Sequence, residues 1–400
     1  MYFSPKTSAD GLVFHYDTGN TVRSYLGEPT TNLWGIQSGT NVNNKSDWSM
    51  PYAYNGAITN SVYSSGTWNG NRIWEVLHTA GTSGYAGYES WRECVDQPTA
   101  GSGTYGTTRR VAMKICILEG SITDLALHSG GGNGGHNGGA WTAIPTSQVP
   151  KDCPVKTGWY QFLEDGSWNS NSVGHCIGLG FISYNRVKLL IAEPMYYPSS
   201  KLLPFTGYQR GATQGLKDLT AANTINLSNV SFDANAQMTF DGTNDTVSIP
   251  SNSSNNIAGD ITMELVLNRT AGYSAAVMHK EQQYTLYVYS SGNITYADSS
   301  IWSYSTFGAY GNLTAGTYHH LVATKTGGVV KIYLDGTVII NKSFGSAITQ
   351  TNNTLHVGSY DGSSNYFGGE IPVAKVYNRA LTADEVTRNF NAIKSRFNIG

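Results

Sequence analysis

Charge is scarce in this chain. Asp, Glu, Lys and Arg make up 13% of its 400 residues, about half the share of roughly 25% usual in globular proteins. With 25 Lys+Arg against 27 Asp+Glu the net charge is −2, so there is no basic field to displace counterions from a phosphate backbone. Nucleic acid is excluded as a partner on that ground. No run approaches the 18 or so apolar residues of a membrane-spanning helix, and the opening Met1-Tyr2-Phe3-Ser4-Pro5-Lys6 lacks the charged start and apolar stretch of a secretion signal. The expectation is a chain with no membrane partner and no cleaved leader. Cysteines are few and widely spaced, at Cys94, Cys116, Cys153 and Cys176. Without a Cys-x-x-Cys pair they do not suggest zinc. They read as buried free thiols, with three disulfide pairings formally open.

Long helical periodicity is also missing. Short alternating or apolar runs bounded by Gly, Asn, Asp and Ser recur instead, the pattern of an all-β sandwich or barrel. Strands are expected at Arg110–Leu118, Gly158–Phe162, Leu179–Ser183, Val187–Ala192, Ile261–Leu267, Tyr284–Tyr289, His320–Lys325 and Val329–Leu334. In the last, Val330, Ile332 and Leu334 share one face, and the following Asp335-Gly336 is a strong hairpin signal. One helix is expected near the C-terminus, where Thr382 and Glu385 have capping-box spacing and Val386, Phe390 and Ile393 form an apolar stripe. It should lie over the sandwich edge. All four cysteines, and every tryptophan except Trp302, precede residue 200. This shift places a boundary near Pro204–Gln214 and gives an arm at 1–33, a first β-domain at 34–208 and a second at 209–400.

The second half resembles the laminin-G/concanavalin-A-like jelly rolls of bacteriophage and bacterial surface proteins. Five blocks carry the likeness in order: Phe240 to Pro250, Thr317 to Val322, Val330 to Gly336, Leu355 to Gly358, and Gly368 to Leu381. Gly11 to Asn20, running on to Leu33, is similar to the opening of phage virion proteins that bear this module. Ile191 to Pro194 with Leu203 to Arg210 is similar to the end of their carbohydrate-binding-module-like jelly roll. The resemblance implies two jelly-roll β-sandwiches in tandem behind an N-terminal arm that docks to the particle, with a short C-terminal helix.

Chemistry is thinly represented. Hydrolases of this fold carry two carboxylates across the scissile bond, usually as Glu-x-Asp-x-x-Glu on one strand, and no such motif occurs. Glu264 stands alone on its strand and Glu281 has no acidic neighbour at strand spacing; Glu89, Glu93 and Asp96 read as loop surface. There is no Gly-x-Ser-x-Gly elbow, and the glycine-rich loop around His136 lacks the ending of a phosphate cradle. His319-His320 sits where the resemblance puts a core strand. Some laminin-G-like domains bind calcium; Asp241, Asn244, Asp245 and Asp361 could contribute, but Asp and Asn also suit tight turns, and no metal or cofactor is assigned.

Aromatic residues remain, with neutral Asn, Gln and Ser to satisfy sugar hydroxyls. Trp74, within Arg72 to Val76, reads as core. Tyr85, Tyr88 and Trp91 in the first domain, and Tyr304, Tyr310 and Tyr366 in the second, read as loop-borne candidates for stacking on sugar rings. The expectation is a non-enzymatic phage virion protein, assembled in the host cytoplasm and displayed on the particle exterior as a head fibre, capsid decoration or tail-fibre component. Its partners would be other virion proteins, cell-surface polysaccharide and copies of itself, the trimer being implied by the resemblance alone. A shell-stabilising decoration protein without sugar binding stands second, a polysaccharide depolymerase third, and a secreted lectin further behind.

Overall fold

The computed structural model describes residues 7–32, 41–44, 50–52, 58–68, 70–79, 89–95, 108–131, 140–143, 150–151, 159–167, 175–181, 185–197, 203–233 and 237–400. Two compact bodies divide the chain: an inserted domain, Thr30–Arg210, and a split domain made of Met1–Pro29 with Gly211–Gly400. Chain exit and re-entry lie side by side in the split domain, where Tyr25 bridges Leu216 and the Leu26 amide donates to the Gly215 carbonyl at 2.7 Å. Gly215 permits this approach, since a Cβ there would stand 2.3 Å from the Gly27 carbonyl oxygen. In the inserted domain Thr30–Thr31 pairs antiparallel with Gln209–Arg210.

The inserted domain is a β-sandwich. Its larger sheet runs in the order Pro150–Lys151, Trp159–Ser167, Thr108–Glu119, Val187–Tyr197, Asn71–His78, Ile58–Trp68. The smaller runs Met50–Tyr52, Glu89–Val95, His175–Phe181, Leu125–Gly131, Ala140–Ala143. Trp74, Ile115 and Ile191 from the first meet Leu125, Leu179 and Phe181 from the second in one core. Cys116 lies on the opposite face of the larger sheet, fully buried. It is disulfide-bonded, which corrects the expectation of free thiols at this position. Bridging depends on two Cα atoms standing about 4.4–6.8 Å apart, and spacing along the chain does not reveal that.

The split domain is a second sandwich of two antiparallel sheets. One runs Ser231–Phe232, Met238–Asp241, Gly368–Tyr377, Ile261–Arg269, Tyr318–Thr326, Val329–Leu334, Thr337–Ser343, with Leu12–Asp17 also paired to Gly368–Tyr377. The other runs Asn226–Ser228, Thr246–Ile249, Leu355–Val357, Ala275–Lys280, Tyr284–Val288, Ile294–Asp298. Alternation sets the core: Leu265, Leu321 and Ile332 from the first sheet face Val247, Leu286 and Tyr296 from the second. Asp335 and Gly336 both take positive φ, +51° and +79°, the backbone that a tight two-residue hairpin requires.

Two expectations change here. The segment assigned to an anchoring arm over residues 1–33 contains a strand of this sheet. Leu12–Asp17 lies beside Gly368–Tyr377, with Phe14 opposite Val376 and Tyr16 opposite Ala374, and both aromatics are fully buried in the sandwich core. A strand of six residues with two core aromatics is too apolar to stay solvated when a free sheet edge can receive it. The C-terminal helix, Ala383–Ile393, covers the outer face of the larger sheet and not its edge. Val386 packs with Val322, Tyr333 and Tyr377, while Ile393 and the following Phe397 pack with Val266 and Val373. Its start is closed by a capping box, the Thr382 hydroxyl accepting from the Glu385 amide at 3.3 Å and the Glu385 carboxylate accepting from the Thr382 amide at 2.9 Å.

Polar groups are trapped between helix and sheet. Glu264, fully buried, accepts from Lys375 Nζ at 2.7 Å, Asn389 Nδ2 at 2.6 Å and the Tyr377 hydroxyl at 3.3 Å. His320 Nε2 stands 3.3 Å from the same carboxylate, off the hydrogen-bond direction. Asn389 Oδ1 in turn accepts the Ser8 amide at 2.8 Å, and the Tyr377 hydroxyl donates to the Ser8 carbonyl at 3.1 Å. Burial alone would raise the carboxyl, but Lys375 and His320 more than offset it and hold Glu264 well below the usual carboxylate range. A depressed folded pKa means stability that is present above the unfolded value near 4.5 and is lost as pH falls from there toward the folded pKa.

Two outcomes follow. Phe14→Ala should cost about 3–5 kcal/mol in urea unfolding of the split domain; a loss below 1 kcal/mol would mean that residues 12–17 are a dispensable tail. Glu264→Gln, which strands Lys375, should cost about 3–5 kcal/mol at pH 7, and the gap from wild type should narrow below pH 4.5 as the unfolded chain takes up a proton on Glu264 that the native state resists. A gap that is constant with pH would show that charge is not what Glu264 contributes.

Candidate functional site

With one face of the split domain under the helix, the opposite face is left to the smaller sheet. Its core positions point inward, so the alternate residues Thr246, His356, His279, Thr285 and Tyr287 face away from the core, all but His356 buried beneath the adjoining loops. Two loops, 299–310 and 358–367, bring further aromatic side chains to this face. The His279 ring stacks on Tyr360 at 3.9 Å between centroids and meets Trp302 edge-on at 5.8 Å. Tyr287 packs against Tyr304 at 5.2 Å and Tyr289 at 5.4 Å. Trp302 is 37% exposed, an unusual state for the largest apolar side chain.

Polar groups punctuate the rings. The Tyr287 hydroxyl donates to Asn365 Oδ1 at 3.3 Å, the Tyr304 hydroxyl to Thr285 Oγ1 at 3.5 Å, and Thr246 Oγ1 lies 2.6 Å from Ser359 Oγ. His279 Nε2 is 3.0 Å from Glu281 Oε2. Burial, with His356 nearby, pushes His279 down to about 3, so the ring is neutral at physiological pH and donates Nε2–H to the carboxylate. Burial also lowers His356. Glu281 is pushed up by partial burial and by Asp361. At Asp361 burial works the other way, but hydrogen bonds from Ser363 and Ser364 hold the carboxyl below its ordinary value.

Such a surface offers flat apolar rings beside neutral donors and acceptors, an arrangement suited to ligands with both C–H faces and hydroxyls. Of the expected site residues, it gathers Tyr304. That residue begins a one-turn helix, Tyr304–Phe307, where a loop was expected. Its turn is closed by the Ser303 hydroxyl, which accepts the Thr306 amide at 3.3 Å. Tyr310 lies apart: its backbone bridges Ile294 and its ring packs edge-on against Phe307 at 5.8 Å. Tyr366 is half-buried, its hydroxyl donating to the Gly362 carbonyl at 2.9 Å within its own loop. Tyr85 and Tyr88 lie outside the described residues, as do Asp96 and the His136 loop. Trp91 is described only in its backbone, on Glu89–Val95, and the side chains of Glu89 and Glu93 are likewise outside the description.

Tyr287, Tyr289, Trp302, Tyr360 and His279 were not expected at a site. Trp302 had a signal, as the one tryptophan of the second half; alternation past Leu286 could have pointed Tyr287 outward. The calcium candidates do not converge. Asp241 and Asp245 share one turn, where Asp241 Oδ1 accepts the Thr243 amide at 2.7 Å and Asp245 Oδ2 accepts the Asp241 amide at 2.7 Å, while Asp361 Oδ1 accepts the Ser363 amide at 2.9 Å in another. Among the described residues no group of three His, Cys, Asp or Glu is placed to hold a metal ion. The His319 ring is bonded to Asp335 at 2.8 Å beside the hairpin, away from the aromatic face.

Residues 241–387 match the Concanavalin A-like lectin/glucanases superfamily, in its third laminin-G group. No curated protein matches the chain. A mutant Trypanosoma rangeli sialidase displaying trans-sialidase activity is similar in structure, at 14% identity and TM-score 0.37 over 48% of this chain and 32% of that one. Domain 4 of AbnA, an extracellular GH43 arabinanase from Geobacillus stearothermophilus in complex with arabinotriose, is similar at 14% identity and TM-score 0.36 over 44% of this chain and 91% of that one. The ligand-binding domain of botulinum neurotoxin serotype D in complex with N-acetylneuraminic acid is similar at 13% identity and TM-score 0.36 over 45% and 49%. The chain therefore spans about a third of the sialidase and about half of the neurotoxin domain. The match over 241–387 and the core closed between two antiparallel sheets fit a concanavalin A-like jelly-roll fold for the split domain.

Proposed function

We propose that the protein is a non-enzymatic glycan-binding protein, and that it works on the exterior of a phage particle as a head fibre, decoration or tail-fibre component. The aromatic face of the smaller sheet carries the first part of this reading: Trp302 and Tyr360 gather round His279, and Tyr304 packs on Tyr287, with Thr and Tyr hydroxyls and the Asn365 amide beside them. A family whose name covers lectins supports it. The particle location, the trimer and assembly in the host cytoplasm rest on the resemblance of residues 11–33 and 191–210 to virion proteins. With Leu12–Asp17 built into the sheet, docking to the particle falls to surfaces other than that strand. A carbohydrate-binding role for the inserted domain rests on the same resemblance.

Glycan contact by this face is multivalent in a trimer, so weak sites suffice for adhesion. Glu281 and Asp361 are the carboxylates at the face, and neither is assigned a catalytic role.

The test is retention of the purified protein on a panel of immobilised bacterial surface polysaccharides, with release of reducing ends measured alongside. Trp302→Ala and Tyr360→Ala should each weaken retention about tenfold, the order expected for a lost ring contact, with the folded circular-dichroism spectrum intact. Retention that both variants leave untouched would move binding away from this face. Release of reducing ends, abolished by Glu281→Gln, would replace the adhesive reading with a depolymerase. Absence of retention by the wild type would leave a shell-stabilising decoration protein.

A further inference from the structure

We propose, resting on the glycan-binding reading of this face, that its ligands are uncharged pyranose polymers and that anionic saccharides are turned away. The six strands of the smaller sheet contain one lysine and no arginine. That lysine, Lys280, is fully buried and points into the end of the sandwich, where Nζ donates to the carbonyl and Oδ1 of Asn255, both at 3.1 Å. The two loops that wall the face, 299–310 and 358–367, contain no Lys or Arg. Among the cations of the split domain, Lys325 is paired with Asp298 inside the sandwich, Lys375 with Glu264 beneath the helix and Arg396 with Asp17 at 2.7 Å, while Lys342, on the larger sheet, donates to the Thr306 and Phe307 carbonyls at the Tyr310 end of the first loop.

The two imidazoles at the face supply no positive charge either. Burial keeps His279 and His356 neutral at physiological pH, and His279 spends its ring N–H on Glu281. What charge the face holds is negative, at Glu281 and Asp361, and Asp361 is exposed beside Tyr360. A carboxylate or sulfate on a sugar stacked here would meet like charges within a screening length of about 8 Å at physiological ionic strength, with no cation from the smaller sheet or the two loops to bind it. A neutral ring meets no such cost. It gains the stacking surface of Trp302 and Tyr360 and the exposed side-chain amide of Asn365.

The test uses the full chain at low salt on two sets of immobilised polymers: uncharged glucan, mannan and galactan, and anionic polysialic acid, hyaluronan and alginate. The wild type should bind at least one uncharged polymer about tenfold or more tightly than any anionic one, the equivalent of roughly 1.4 kcal/mol. In the double variant Glu281→Gln with Asp361→Asn, the ratio of anionic to uncharged retention should rise about fivefold, a change that simple loss of packing would not produce. Anionic polymers bound as well as uncharged ones by the wild type, and released by Trp302→Ala, would overturn the charge selection while leaving the glycan-binding reading standing. No retention on either set would overturn both.

Discussion

The buried carboxylate of Glu264 ties together three parts of the chain that are far apart in sequence. It lies on a central strand of the larger sheet and receives Lys375 and Tyr377 from the neighbouring strand and Asn389 from the C-terminal helix. Through Asn389 and Tyr377 it also holds the backbone of Ser8. A charge in so dry a place is tolerated only if every lone pair finds a donor. Helix, N-terminal segment and sheet must therefore be present together or not at all. The bidentate contact of Arg396 with Asp17 closes the same seam from outside.

That seam explains how the two faces of the split domain come to differ. The helix and the Ser8 segment occlude the outer face of the larger sheet, where Val322, Tyr333 and Val373 would otherwise be exposed. Among the described residues, the smaller sheet is covered only by its own loops, 299–310 and 358–367, which leave Trp302, Tyr360 and Asn365 reachable from solvent. Its outward residues are hydroxyls, histidines and tyrosines, which tolerate water and a ligand equally well. An apolar face pays for a structural partner, whereas an aromatic and polar one stays available for recognition. The insertion of Thr30–Arg210 leaves this division untouched, because exit and return run as neighbours at Tyr25 and Leu216 and disturb no central strand.

Local pattern made much of the split domain legible. Val329–Leu334 alternates and ends at Asp335-Gly336, and the structure turns there with both residues at positive φ. Gly336 is required twice over, since the Phe390 ring of the helix passes 2.8 Å from where its Cβ would be. Thr382 and Glu385 announced the helix, and their capping bonds form. Leu12–Asp17 was harder to place, because its partner strand begins more than 350 residues later and no turn connects them. His279 and Glu281 looked unremarkable in a run of alternating residues, and Tyr360 sits in a glycine- and serine-rich loop. Nothing local shows that these come together with Trp302.

What the sequence by itself determined is what short-range chemistry encodes: strands, hairpins, one capped helix, the low charge, and the order of blocks that marks a jelly roll. Only the tertiary structure decided which strand completes which sheet, that the opening segment belongs to the closing domain, and that one face is sealed while the other carries the rings. The physical reason is that strand periodicity states which residues share a side but not which side meets the core. That choice is made by partners hundreds of residues away, through the burial of Phe14 and Tyr16 and the pairing of Glu264 with Lys375.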